Sequence, residues 1–166
     1  EADVVVYAGS LVNPALLRRC KPEAEIHDSA RLDLNEVLDI LIPAAKAGKR
    51  VVRLHTGDPS VYGAHREQMD ALKAAGVPFA VCPGVSSFFG AAASLGAEYT
   101  LPGVSQTVIL TRAAGRTPVP EKERLSALAA HGASLVLFLS AGRVAEAVEE
   151  LLQGGYYTTE TPAAIV

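Results

Sequence analysis

The stretch Arg50-Val51-Val52-Arg53-Leu54-His55-Thr56-Gly57-Asp58-Pro59-Ser60-Val61-Tyr62-Gly63 decides how the rest of the chain is read. Its opening is short, apolar and β-branched, which suits a buried strand. Gly, Asp and Pro then arrive together, the composition of a turn. From about Ala64 to Ala75 the pattern is helical, and Gly76 closes it. Open α/β sheets bind ligands at turns of this kind, at the carboxyl ends of their strands. Gly57 and Gly63 let the backbone turn sharply or approach a ligand closely. Asp58 sets one carboxylate at the mouth of that turn, and Pro59 fixes the local φ.

The same alternation extends in both directions. Upstream, Val4–Tyr7 reads as a strand, and Asn13 caps a helix that starts with Pro14 and runs to about Cys20. Glu25-Ile26-His27 reads as a short strand, and Asn35 opens a helix over Glu36–Ala47 that Pro43 weakens or kinks. Downstream, Pro78–Cys82 reads as a strand. Pro83-Gly84-Val85-Ser86-Ser87 is a second strand-to-helix turn, leading into a helix over Phe88–Leu95. The two glycine-bearing turns then sit on one sheet edge, as neighbours across one crevice.

Thr100-Leu101-Pro102-Gly103 has no periodicity and reads as a linker. Beyond it come a strand over Gln106–Thr111, a loop over Arg112–Pro120 and a helix over Glu121–Ala130. A buried strand over Ser134–Leu139, a helix over Arg143–Leu152 and a last strand from Ala163 follow. The reading is α/β in two domains, 1–103 with a mostly parallel sheet and 104–166. Because the chain opens on a strand without Met and stops inside an apolar run, it is expected to be cut at both ends.

The 166 residues are 49% apolar, enough to build a core, and the net charge of −3 offers no basic face to nucleic acid. No apolar run approaches the roughly 20 residues of a membrane helix. Cys20 and Cys82 lack metal-ligand spacing, and two lone thiols suit a reducing compartment, so a cytoplasmic location is expected. There is no Walker lysine turn, no G-x-G-x-x-G, no G-x-S-x-G elbow and no metal-spaced cluster. Asp58 either caps its own turn or meets a cationic or hydroxyl-bearing ligand. His55 either titrates near neutrality or is structural. Ser86 and Ser87 either cap their helix or present N–H groups and hydroxyls to a ligand. Arg112 and Arg116 have the chemistry to bind a polycarboxylate, and equally that of solvated surface charge. The pattern alone reaches a ligand crevice and does not name the ligand.

The motif Thr56-Gly57-Asp58-Pro59-Ser60-Val61-Tyr62-Gly63, followed by Pro83-Gly84-Val85-Ser86-Ser87, resembles the tetrapyrrole (corrin/porphyrin) methyltransferases. Within that family, Tyr7-Ala8-Gly9-Ser10-Leu11-Val12-Asn13-Pro14, Arg53–Asp58 and His27-Asp28-Ser29-Ala30 resemble the branch that methylates C11 of precorrin-4 in cobalamin synthesis. The resemblance covers the whole chain.

It implies the class III fold of S-adenosylmethionine-dependent methyltransferases, two α/β domains with a cofactor and substrate cleft between them. It implies S-adenosylmethionine as methyl donor, a tetrapyrrole as substrate, no nucleic-acid or membrane partner, and a homodimer. By position, Thr56, Gly57, Asp58, Val61, Ser86, Ser87 and Leu139 match cofactor-binding residues, with the Leu139 backbone contacting adenine. His55, Tyr62 and Arg112 are the candidates for substrate contact. No catalytic residue is named, because an electron-rich ring carbon needs mainly alignment with the methyl group and exclusion of water. The family opens with a strand and a Gly-x-Gly-Pro-Gly-Asp-Pro loop that this sequence does not contain. Two other functions stay open: C-methylation of another tetrapyrrole such as uroporphyrinogen III or precorrin-2, and a non-catalytic nucleotide- or metabolite-binding module.

Overall fold

A computed structural model describes residues 1–115 and 117–166. The chain forms two compact units, Glu1–Ser87 and Phe88–Val166.

The first unit is built on a parallel sheet in the order β2-β1-β3. Strand β1 is Val4–Tyr7, β2 is Glu25–Asp28 and β3 is Val51–Leu54. Val4 lies opposite Glu25 on one side and Val51 on the other. As the middle strand, β1 carries the run Val4-Val5-Val6, each at most 2% exposed. A parallel pair needs a crossover, and a helix supplies each one. Helix α1, Pro14–Leu17, precedes β2, and α2, Leu34–Lys46, precedes β3. Val37 and Leu41 of α2 close the core with Val4 and Val6. Helix α3, Arg66–Ala74, packs beside α2.

Helix α2 starts at Asp33, not at the expected Asn35. The Glu36 N–H donates to Asp33 Oδ1 at 2.9 Å, and the Asp33 N–H donates to Glu36 Oε2 at 2.8 Å. This capping box satisfies two otherwise orphaned donors, which Asn35 would not. Pro43 stays inside the helix. Helix α1 stops at Leu17, short of Cys20.

No strand forms over Pro78–Cys82. Among the described residues no backbone hydrogen bond joins this segment to β3, and Phe79 and Val81 are exposed. Apolar, β-prone residues make a strand only when a partner takes their backbone groups. The free edge of β3 instead faces a cavity of about 720 Å³ that runs along Pro78–Cys82 and reaches His55 and Gly57.

The second unit opens with helix α4, Ser87–Leu95, whose first residue belongs to the first unit. Its two strands, β4 (Val108–Arg112) and β5 (Ser134–Phe138), are parallel and in register from Val108–Ser134 to Arg112–Phe138. Between them lie a 3-10 turn, Glu121–Glu123, and α5, Leu125–Ala129. The single helix expected over Glu121–Ala130 breaks at Arg124, which is extended, and Leu125 behind the break is buried. Helix α6, Val144–Gln153, packs against α5. Residues 163–166 form no strand, and Ile165 and Val166 are exposed.

The sequence reading divides the chain after Gly103, whereas the compact units divide it after Ser87. Side chains account for the difference. The Tyr99 hydroxyl donates to the Phe88 carbonyl at 2.6 Å, and the Ser134 hydroxyl donates to the Tyr99 carbonyl at 2.6 Å. These bonds tie α4 and the segment after it to β5.

Candidate functional site

Strand β3 ends at Leu54 and delivers His55-Thr56-Gly57-Asp58 to the carboxyl edge of its sheet. Asp58 is the hub of the turn. Its Oδ1 accepts the Ser60 N–H at 2.9 Å and the Ser60 hydroxyl, and its Oδ2 accepts the Gly84 N–H at 2.8 Å. These donors, the Ser60 hydroxyl first, pull the Asp58 pKa down to about 2, so the group is anionic at neutral pH. The carboxylate therefore caps its own turn and also crosses to the second turn. The neighbourhood expected of the two glycine-bearing turns is present, although the strand expected to deliver the second one is not.

The contact depends on Gly84 having no side chain. A Cβ on Gly84 would stand 2.0 Å from the Gly57 carbonyl oxygen. Gly57 has φ +60°, and a Cβ there would meet Ser86 Cα and Ser87 N at 3.4 Å each. Backbone thus lies directly against backbone, next to the start of α4. Ser86 is buried and Ser87 is the first residue of that helix. Thr56 is exposed, and Val61 is half-buried in the turn that follows Asp58.

Tyr62 and Ala64 have φ +55° and +47°, a region that side chains other than glycine's rarely adopt. Gln68 braces them from below. Its amide donates to the Ala64 carbonyl at 3.2 Å, and its oxygen accepts from Arg53 Nε at 3.3 Å. Arg53 in turn donates to the Val6 carbonyl at 3.1 Å, so the turn is fastened to the central strand. His55 is half-buried and edge-on to His65, with ring centroids 6.4 Å apart. Burial first, then Arg53 and His65, hold its pKa below the usual histidine value, which favours neutral imidazole.

In the second unit, Leu139 follows β5 directly. It has φ +55° and is 77% exposed. An apolar side chain that is both strained and in solvent is not explained by packing. Arg112, at the end of β4, donates to the Thr117 and Pro118 carbonyls at 2.9 Å each, and to that of Ala113 at 3.3 Å. Its guanidinium staples its own loop, which leaves little of its fork for a substrate carboxylate. Arg116 lies outside the described residues. Among the described residues no group of three or more His, Cys, Asp and Glu side chains is arranged to hold a metal.

Three residues that matter locally were not singled out from sequence: Ser60, Gln68, and Ser140, whose hydroxyl accepts the Ala113 N–H and donates to the Phe138 carbonyl. Ser60 follows Asp58 at the spacing of an Asx turn, a readable signal. Gln68 and Ser140 have none: each is a buried polar residue in an otherwise ordinary helix or turn.

The chain is similar to known proteins over its full length. The sequence profile of the Tetrapyrrole (Corrin/Porphyrin) Methylases matches residues 1–166. The chain is 54% identical to the cobalt-precorrin-4 C(11)-methyltransferase of Methanocaldococcus jannaschii over all 166 residues, which are 64% of that protein's length. It is 48% identical to the precorrin-4 C(11)-methyltransferase of Rhodococcus erythropolis, covering 98% of this chain and 65% of that one. The solved structure of a cobalt precorrin-4 methyltransferase superposes with TM-score 0.89 at 48% identity, over 93% of this chain and 65% of that one. A uroporphyrin-III C-methyltransferase from Thermus thermophilus, complexed with S-adenosyl homocysteine, superposes with TM-score 0.73 at 29% identity, over 93% and 62%. The chain thus spans just under two thirds of the length of these relatives.

Proposed function

Because this chain belongs to the tetrapyrrole (corrin/porphyrin) methylases, we propose that it supplies the S-adenosylmethionine site of an enzyme that methylates C11 of precorrin-4 or cobalt-precorrin-4 in cobalamin biosynthesis. The observation that carries the reading is the 54% identity across all 166 residues to a relative of that name. The proposal includes a homodimer located in the cytoplasm.

The residues present suit the cofactor. Gly84 lets the two turns meet backbone to backbone, and that contact holds the start of α4 beside Asp58. The N–H groups of Ser86 and Ser87 open α4, and a helix start of this kind favours a carboxylate such as that of the methionine moiety. Asp58, held anionic by Ser60 and Gly84, favours cationic groups. Thr56 and Val61 flank it, and Leu139 offers backbone to the adenine.

S-adenosylmethionine supplies a methyl group on a positively charged sulfur, poised for transfer to a nucleophilic carbon. This chain's part is to bind and orient. The Asp58–Gly84 hydrogen bond sets the two turns at one spacing, and reaction rate depends on such alignment. His55, kept neutral, and Tyr62 are the residues assigned to the tetrapyrrole. Arg112 is assigned there only weakly, given its loop contacts.

The test begins with calorimetric titration of this chain with S-adenosylhomocysteine. Saturable one-to-one binding that Asp58→Ala abolishes is expected. Methyl transfer is then followed with the protein at the length of its relatives, supplied with precorrin-4 or cobalt-precorrin-4. Gain of one methyl at C11 is expected. Methylation at another ring position selects a different tetrapyrrole methylase, and absence of binding and transfer overturns the reading.

A further inference from the structure

We infer that Ser140 is a positioning residue for the cofactor: its hydroxyl holds the Leu139 backbone in the left-handed conformation that presents it to ligand. The inference rests on the cofactor reading above. It concerns a residue that neither the motif nor the expected contact set contains.

Leu139 occupies a conformation that costs an L-residue energy and persists only where its surroundings impose it. Its own side chain imposes nothing, since it is 77% exposed. The constraint comes from the next residue. Ser140 is 5% exposed. Its hydroxyl donates to the Phe138 carbonyl at 2.7 Å and accepts the Ala113 N–H at 2.9 Å. Phe138 ends β5, and Ala113 follows the end of β4, where Arg112 and Phe138 are register partners. One hydroxyl therefore bridges the ends of both strands and spans the Leu139 peptide from either side. The Ser140 carbonyl also accepts the Arg143 N–H at 2.9 Å, which anchors the residue to the short helical turn that follows.

The chemistry demands a small group that donates and accepts at once, and a hydroxyl does both. Alanine at 140 removes the acceptor of the Ala113 N–H and the hydroxyl that donates to the Phe138 carbonyl. The hold on Leu139 at positive φ is then weakened, and its backbone shifts toward the ordinary β region. Glycine at 139 would adopt the same φ with no steric penalty, and so would not need the clasp.

The test is calorimetric titration with S-adenosylhomocysteine on four proteins: the unaltered chain, Ser140→Ala, Ser140→Cys, and Ser140→Ala combined with Leu139→Gly. Thermal melts run in parallel. Ser140→Ala is expected to weaken binding about tenfold. Ser140→Cys, which keeps the shape and a weak hydrogen-bonding group, falls between it and the unaltered chain, and provides the reading if Ser140→Ala does not fold. The double variant is expected to recover binding to within about threefold, a rescue that a purely structural role for Ser140 would not give. Unchanged affinity in Ser140→Ala, or no recovery in the double variant, overturns the inference while the cofactor reading stands. No binding by the unaltered chain overturns both.

Discussion

Gly84→Ala tests the contact between the two turns most directly. The added Cβ would stand 2.0 Å from the Gly57 carbonyl oxygen, and ordinary contact begins at about 3.4 Å, so one backbone must retreat by about 1.4 Å. The same retreat stretches the Asp58–Gly84 hydrogen bond from 2.8 Å to beyond hydrogen-bonding range. Overpacking of this kind costs about 1–3 kcal/mol. For a unit the size of Glu1–Ser87, each kcal/mol lowers Tm by about 4–8 °C. The assay is a thermal melt by circular dichroism, paired with S-adenosylhomocysteine titration. Gly90→Ala is the control, since a Cβ there meets nothing within 4 Å and the site lies within α4. If Gly84→Ala melts and binds like the unaltered chain, the two turns are not set by this contact and the reasoning fails.

Other expectations follow from single groups. Asp58 has its pKa depressed to about 2 from an ordinary 3.8, so its contribution to stability is complete above about pH 3.8 and is lost as pH falls toward 2. Asp58→Asn should flatten the pH dependence of Tm in that interval, and equal slopes would count against the Ser60 and Gly84 hydrogen bonds. Leu125→Ala empties a site that is 1% exposed and should cost about 2–5 kcal/mol in denaturant unfolding; a cost near zero would mean the second unit lacks a fixed core there. Asp33→Ala removes half of the α2 capping box and should cost about 0.5–2 kcal/mol, seen as a lower urea midpoint with an unchanged slope.

Much of this was legible in the sequence because local chemistry and tertiary need agree. Val4–Tyr7 and Val51–Leu54 are short β-branched runs, and the sheet buries the first of them completely enough to require such residues. The Asp33-x-x-Glu36 pair was readable as a capping box, yet Asn35 is an equally good capping type, and only the reciprocal hydrogen bonds decide between them. Pro78–Cys82 carries every local sign of a strand, but a strand is a pairing, and pairing is not a property of five residues. The family and the two turns could be read from the Gly-Asp-Pro and Pro-Gly-Val motifs. That Asp58 joins those turns could not, because the donor on Gly84 lies 26 residues away. Ser140 was invisible for a related reason: its importance comes from the strained backbone of its neighbour, and φ is not written in side chains.

The free edge of β3 has a consequence for how the molecule behaves in bulk. An edge strand offers a row of backbone N–H and C=O groups, a template on which another strand can add. Here the edge is four residues long, carries the exposed Val52, and borders a cavity instead of a partner strand. Every copy presents the same template. Pairing of a further strand along that edge would need no unfolding of the first unit.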